Sequence, residues 1–279
     1  MCSSDLSGTL SLSSVEIARN AKALGILLNN PGPFTLDNTG SVTAQQAKDI
    51  ATLLQGRKNV SLARPLQIAD NGASILSAKD SLFSANAPAI SSVKINGDVN
   101  AIQAAQFEGL GSTFTKFDSF RIVDTAENAL SLDLSPPNHT TLNSKVSGIR
   151  VTSALDVSQL STIYPSVTND VPVIDPGKGN VLAKLLSGLE VSGSPASISA
   201  QILRVAKLAS DGKLRSINTA VPADFASTDV TNFQKNLRDN NLFDYPLSLS
   251  VADSITALLK SDPTEQQNVL TNLQRLDST

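Results

Sequence analysis

Three stretches of this chain carry the same order of apolar and polar positions. Ile68-Ala69-Asp70-Asn71-Gly72-Ala73-Ser74-Ile75-Leu76 is matched by Ile122-Val123-Asp124-Thr125-Ala126-Glu127-Asn128-Ala129-Leu130. It is matched again by Val251-Ala252-Asp253-Ser254-Ile255-Thr256-Ala257-Leu258-Leu259, with a looser copy from Val173 through Asp175 to Leu182. In each, an apolar pair precedes an Asp, and apolar positions at helical spacing follow. A second unit alternates with the first. Val42-Thr43-Ala44-Gln45-Gln46, Val99-Asn100-Ala101-Ile102-Gln103, Leu155-Asp156-Val157-Ser158-Gln159 and Val230-Thr231-Asn232-Phe233-Gln234 each place an apolar residue four before a Gln. Each opens a helical pattern such as Ala47, Ile50, Leu53 and Leu54.

Ahead of both units stands an apolar string whose last two members are two residues apart, the period of a strand. The strings are Ala63, Leu66, Ile68; Ile90, Val93, Ile95; Phe117, Phe120, Ile122; and Val146, Ile149, Val151, with a weaker version at Leu214, Ile217, Thr219. Equivalent positions recur 27 residues apart from Leu66 to Val93 and again to Phe120, then 29 to Ile149. Strand, turn and helix therefore repeat. A helix that returns the chain to the start of the next strand makes consecutive strands parallel, by a right-handed crossover. The expected fold class is α/β: a curved βα solenoid with a parallel sheet on one face and helices on the other. A doubly wound α/β sheet is the alternative. Pro136, Pro137, Pro172, Pro176, Gly177 and Gly179 are expected to mark irregular turns where the period loosens.

Aromatic residues are 4% of the chain and Trp is absent, so the expected core is aliphatic. Asp outnumbers Glu twenty to five, which suits many strand-to-helix turns, because short polar side chains bond to nearby backbone. A net charge of −3 with both signs interspersed carries no nucleic-acid footprint. No apolar run approaches the roughly 20 residues of a membrane span. The only Met and the only Cys are Met1 and Cys2, and Met1-Cys2-Ser3-Ser4-Asp5-Leu6 resembles a translated sequencing adapter. Residues 1–6 are accordingly set apart as an artefact. Residues 7–279 are expected to form a single array of roughly nine to ten units, without the polar caps that free solenoids need. That array reads as truncated at its N-terminus, with the C-terminal end left open. A chain otherwise free of Cys, Met and Trp suits a large exported bacterial protein, extracellular or on the cell surface.

The apolar-x-x-apolar-x-apolar string followed by a helix resembles leucine-rich repeats of the longer, helix-containing type. Leu does not dominate, however, and the Asn that closes that motif is replaced by Asp124-Thr125, Asn96-Gly97 or Thr152-Ser153. Ile122–Leu130 and Leu155–Gln159 are similar to the two alternating units of the Asp-Thr-Ala-x-Asn repeats of very large bacterial secreted proteins. The likeness extends over residues 36–260. It implies a hemolysin-type or adhesin-like surface protein and carries no catalytic residues.

The repeated Asp70, Asp124, Asp175 and Asp253 invite a calcium reading, but calcium needs several converging oxygens. Helix capping needs only one carboxylate at the positive helix end, so these four are expected to be caps. Gln46, Gln103, Gln159 and Gln234 are expected to be structural, as a side-chain ladder or as partners of turn backbone. His139 is the only histidine and has no second His or Cys with which to hold a metal. Gly177-Lys178-Gly179-Asn180 lacks the Ser or Thr and the spacing of a phosphate loop and reads as a turn. One stripe has binding character. Gln67, Lys94, Arg121 and Arg150 each sit between the last two apolar members of a string, on the face away from the core. Parallel neighbours lie about 4.8 Å apart, so three cations would stack and favour an anionic glycan or an acidic protein on the sheet face. The expected function is a structural or adhesive repeat segment of a large exported bacterial surface protein, flanked by neighbouring repeats of the same parent chain. No enzyme, cofactor, metal, nucleic acid or membrane span is expected. The alternative is an intracellular leucine-rich-repeat-like module binding a protein partner on its sheet.

Overall fold

A computed structural model describes residues 8–28, 32–186, 188–221 and 227–251, together with 264, 267, 271 and 274. The chain divides into two compact units, Met1–Ile122 with Thr141–Ser147, and Val123–Thr140 with Gly148–Thr279. Both are mixed α/β, with helices alternating with strands that pair mainly in parallel. Among the described residues no helix is long and apolar enough to cross a membrane.

In the first unit the strands Gly8–Ser13, Phe34–Thr39 and Val60–Leu62 pair in parallel, as do Ser41–Val42, Leu66–Asp70 and Ile90–Ile95. Gly40, with φ at +81°, makes the corner between Phe34–Thr39 and Ser41–Val42. This is backbone geometry that L side chains rarely adopt. Gly8 faces Phe34 and Phe34 faces Val60. A residue therefore meets its counterpart 26 positions along, as Ser11 meets Asp37 and Thr35 meets Ser61 through their side chains. The apolar strings, 27 apart, would set Leu66 beside Val93. Leu66 instead faces Ile90, and an irregularity after it brings Ile68 opposite Val93. Backbone hydrogen bonds set this register, and the loop between helix and strand takes up the extra residues.

The helix Ala44–Leu54 buries Ala44, Ala47, Ile50 and Leu53, all on one face. It packs over Val42, Leu66 and Ile68, which are almost sealed from solvent. Alanine at two of these four positions lets the helix lie close to the sheet. Ile50 and Leu53 each contribute roughly 1.5–3 kcal/mol by leaving water. The helix Gly72–Leu82 repeats the arrangement with Ile75, Ala78 and Leu82.

The expected all-aliphatic core is not what residues 83–120 build. Five of the nine phenylalanines gather there. The Phe117 ring lies 5.1 Å from Phe107, 5.3 Å from Phe114 and 6.1 Å from Phe83, and Phe120 lies 6.2 Å from Phe107 and from Phe114. The rings are tilted, a geometry worth about 0.5–1.5 kcal/mol per pair beyond burial. The short 3₁₀ segment Gly111–Lys116 follows the helix Ala101–Glu108 here. Such a segment offers no long apolar face, so bulky rings fill the space.

The second unit holds a parallel sheet in the order Leu247–Val251, Leu214–Val221, Leu189–Gly193, Leu155–Asp156. Helices Pro195–Ala200 and Ile202–Ser210 connect Leu189–Gly193 to Leu214–Val221, and Ser227–Asp239 connects the latter to Leu247–Val251. Two expected turns are instead regular elements. Pro172 lies in an antiparallel hairpin, Ser166–Thr168 with Val171–Val173. Asn169 and Asp170, at φ of 51° and 61°, form its two-residue turn, a geometry Asn and Asp tolerate. Pro176, Gly177 and Gly179 belong to the helix Pro176–Lys184, with Pro at the first position, where no N–H is needed.

Tyr164 is the largest fully buried side chain of the described residues. Its hydroxyl donates to Asp211 Oδ2 at 3.2 Å, and Arg204 Nε donates to its carbonyl at 2.9 Å. Burial first, and then the nearby Asp211 carboxylate, raise the Tyr164 hydroxyl above its ordinary range. The unfolded chain loses that proton first, so stability is intact below the unfolded tyrosine value of about 10 and falls as pH rises beyond it. Tyr164→Phe should cost about 1 kcal/mol at neutral pH and should flatten the decline above pH ~10 relative to wild type. Urea unfolding across that range measures both.

Candidate functional site

Two of the expected caps lie one residue early. Helix Gly72–Leu82 is capped by Asn71, whose Oδ1 accepts from Ser74 N at 2.9 Å. Helix Ala126–Ser131 is capped by Thr125, whose Oγ1 accepts from Asn128 N at 3.2 Å. Asp70 and Asp124 are the last residues of the strands Leu66–Asp70 and Phe120–Asp124. Each stands one residue ahead of the capping position, which Asn71 and Thr125 occupy. Asp70 serves the neighbouring helix instead. Its Oδ2 accepts from Ala44 N at 3.0 Å, the first residue of the helix 26 positions earlier, while Oδ1 accepts from Asn71 N at 2.8 Å. Asp124 Oδ1 accepts from Thr125 N at 2.8 Å and Asn128 Nδ2 at 2.9 Å. Ala126 N, the first residue of its helix, donates to Ser153 Oγ at 3.0 Å, 27 positions later. Asp175 stands at the cap position itself, its Oδ1 accepting from Lys178 N at 3.0 Å. Asp253 lies outside the described residues, as do residues 1–6.

Three of the four repeated glutamines sit at the third helical position and complete capping boxes, while Gln234 lies in the middle of the helix Ser227–Asp239. Gln46 Oε1 accepts from Thr43 N at 3.0 Å, Gln103 Oε1 from Asn100 N at 3.2 Å, and Gln159 Oε1 from Asp156 N at 3.1 Å. Ser13 and Glu16 form the same box in the first unit, where the Ser13 hydroxyl holds the Glu16 carboxyl below the usual range. The signal is present in the sequence: a Ser, Thr, Asn or Asp three residues before Gln or Glu.

The expected row of sheet-face cations is not formed in the first unit. Register puts Gln67 opposite Ser92 and Lys94 opposite Ala69. Arg121 is tied to Asp98 at 2.6 Å, because Ile122 bridges Val99 and so brings their neighbours together. Arg150, in the second unit's part of the strand Val146–Val151, is exposed. Register thus sets Lys94 beside Ala69 instead of Gln67, and Arg121 beside Asp98 instead of Lys94.

His139 and Lys178 come together in the second unit. His139 Nε2 lies 3.6 Å from Asp133 Oδ2, and Ser135 N donates to Asp133 Oδ1 at 2.8 Å. The Ser135 hydrogen bond holds the Asp133 carboxyl below its ordinary range. A Cβ at Gly177 would run into that carboxylate, so glycine lets the loop lie on the helix. Lys178 Nζ donates to Leu132 O at 3.0 Å and Asn180 Nδ2 to Leu134 O at 3.2 Å. Burial lowers the Lys178 amine, opposed by the charges of Asp175 and Asp133. Lys178 also borders a pocket of about 270 Å³ with Glu127, Gln159 and Thr162. The Gly-Lys-Gly-Asn run therefore pins a loop to a helix, through residues 46 positions apart. Among the described residues no three His, Cys, Asp or Glu side chains converge as a metal site requires.

No protein-family model matches the chain, and no curated protein matches it. Among solved structures it is similar to dihydrodipicolinate synthase from Rhodopseudomonas palustris, with 12% identity over 98% of this chain and 77% of that one and a TM-score of 0.19. The expectation that the chain is not an enzyme is withdrawn on this finding, since the matched structure is that of an enzyme. A TM-score of 0.19 carries neither a fold nor an active site over to this chain.

If Asp70 caps the neighbouring helix, Asp70→Ala should destabilise the chain by about 1 kcal/mol. Asp70→Asn, which keeps an acceptor oxygen, should lose about half as much or less. Hydrogen exchange should show the Ala44 amide as the site of greatest lost protection in the alanine variant. Greatest loss in the Gly72–Leu82 helix would mean that Asp70 acts on its own helix.

Proposed function

We propose that the chain is a structural or adhesive segment of a large exported bacterial surface protein, built as a βα solenoid of the Asp-Thr-Ala-x-Asn repeat kind. The observation that carries the reading is the recurring register of the first unit. Up to Asp70, strand pairs, side-chain pairs and the bond from Ala44 to Asp70 step by 26 residues, and the next strand follows at 24 and 25. A buried Asn38 adds to it, donating to Ser14 Oγ at 3.5 Å in the coil before and accepting from Arg64 N at 3.0 Å in the coil after. Each coil thus completes the hydrogen bonding of the next, as in an array whose stability is a sum of units and interfaces. Such a segment works by reach and multiplicity: weak contacts on successive coils add through effective concentration.

Two experiments test this. Deleting residues 40–65, one full 26-residue step, should leave a folded chain of lower stability, whereas deleting half of that stretch should abolish cooperative unfolding. Equal damage from both deletions would overturn the solenoid. The complete reading frame should run to a much longer repeat protein with a secretion signal. A short frame joined to cytosolic domains would overturn the surface assignment while leaving the solenoid intact.

A further inference from the structure

We infer that the helix side of the first unit binds an acidic polysaccharide, through two clefts that flank the helix Ala44–Leu54 and share Arg57. One cleft, of about 610 Å³, runs between this helix and the segment Ala18–Ile26; it gathers Arg19, Lys22 and Arg57 against a single acid, Asp49. The other, of about 510 Å³, runs beside the end of the helix Gly72–Leu82; it gathers Lys48, Arg57 and Lys58 and is lined by no acid. A local excess of cations stands out in a chain whose net charge is −3.

The charges are available. Lys22, Lys48 and Lys58 form no ion pair with any described residue, and all three are exposed. Arg19 is exposed as well and faces Glu16, whose own carboxyl is engaged by Ser13. Asp49 accepts from Gln45 Nε2 at 2.9 Å. Arg57 is the fixed member. Its guanidinium donates to Gly25 O at 3.1 Å and to Leu53 O, which ties it to both neighbouring helices. Its Nε is buried and has no partner among the described residues.

The lining selects the class of anion. Cations on both sides of one helix suit a polymer with repeated charges rather than a single ion. Hydroxyl and amide groups between them, from Thr52, Gln55, Ser81, Ser84 and Asn86, suit sugar hydroxyls. Neither cleft is lined by an aromatic ring, so the stacking platforms that hold single-stranded nucleic acid are missing. The inference stands on the clefts and does not depend on the adhesive reading.

The test uses the full chain with dextran sulfate, polygalacturonate, neutral dextran, inorganic sulfate and single-stranded DNA as probes. Both acidic polysaccharides should bind and neutral dextran should not, with affinity falling as salt rises through the physiological range. The double variant Lys48→Ser/Lys58→Ser, which removes only exposed side chains, should bind dextran sulfate about tenfold more weakly. Lys79→Ser, which removes one charge outside both clefts, should bind as wild type. Circular dichroism of each variant confirms that folding is unchanged. Wild-type affinity in the double variant would overturn the inference. So would DNA binding as tight as that of the polysaccharides, or displacement by inorganic sulfate at equal sulfate concentration.

Discussion

A helix leaves its first N–H groups without partners inside the helix, and in this chain neighbouring side chains supply those partners. This constraint recurs at nearly every strand-to-helix turn of the chain. At Thr43 the solution is complete enough to follow atom by atom. Thr43 accepts from the third helical residue, Gln46 accepts in return from the Thr43 N–H, and Asp70 accepts from the first helical residue. Two of these partners are local. The third comes from the end of the neighbouring strand Leu66–Asp70, so the helix start is complete only when that strand is in place.

Cooperation between successive strands and helices follows from that last bond. Asn38 does the same work inside the first unit, being sealed from solvent and bonded to Ser14 on one side and Arg64 on the other. A polar side chain buried in this way is costly unless fully engaged, so it also specifies register. A slip by one residue would leave it unpaired and turn the inward Leu66 and Ile68 outward. The aliphatic face of each helix supplies most of the stabilisation, and the polar bonds choose one alignment among many that would bury similar area.

Register also decides what the surface presents. The sheet face sets Lys94 opposite Ala69 and pairs Arg121 with Asp98, so no column of cations forms there. The helix face of the first unit keeps Lys22, Lys48 and Lys58 unanswered around an Arg57 held by two carbonyls. Cations of the first unit thus cluster on the helix face and not in a row along the sheet. In the second unit the loop around His139 is fastened by Lys178 and Asn180, two residues whose sequence neighbours suggest only a turn.

Much of this is legible in the amino-acid sequence. The alternation of strand and helix, the parallel pairing, the apolar faces and the structural role of the glutamines all follow from local rules that operate within about seven residues, namely periodicity and capping. Other features depend on residues 20 to 46 positions apart, and local pattern is blind to that distance. Apolar strings mark which positions face inward, but backbone hydrogen bonds choose the partner strand position, so Leu66 meets Ile90 rather than Val93. The 26-residue step between Ser41–Val42 and Leu66–Asp70 sets Asp70 at the start of the helix before it. The pairing of the later strands dissolves the stacked cations, and helix packing builds the cation-rich clefts, where no spacing in the sequence groups Arg19, Lys48 and Arg57. Sequence alone determined which residues form each strand and helix. Tertiary structure decided which strand positions meet, because register is a property of two strands and neither strand encodes it alone.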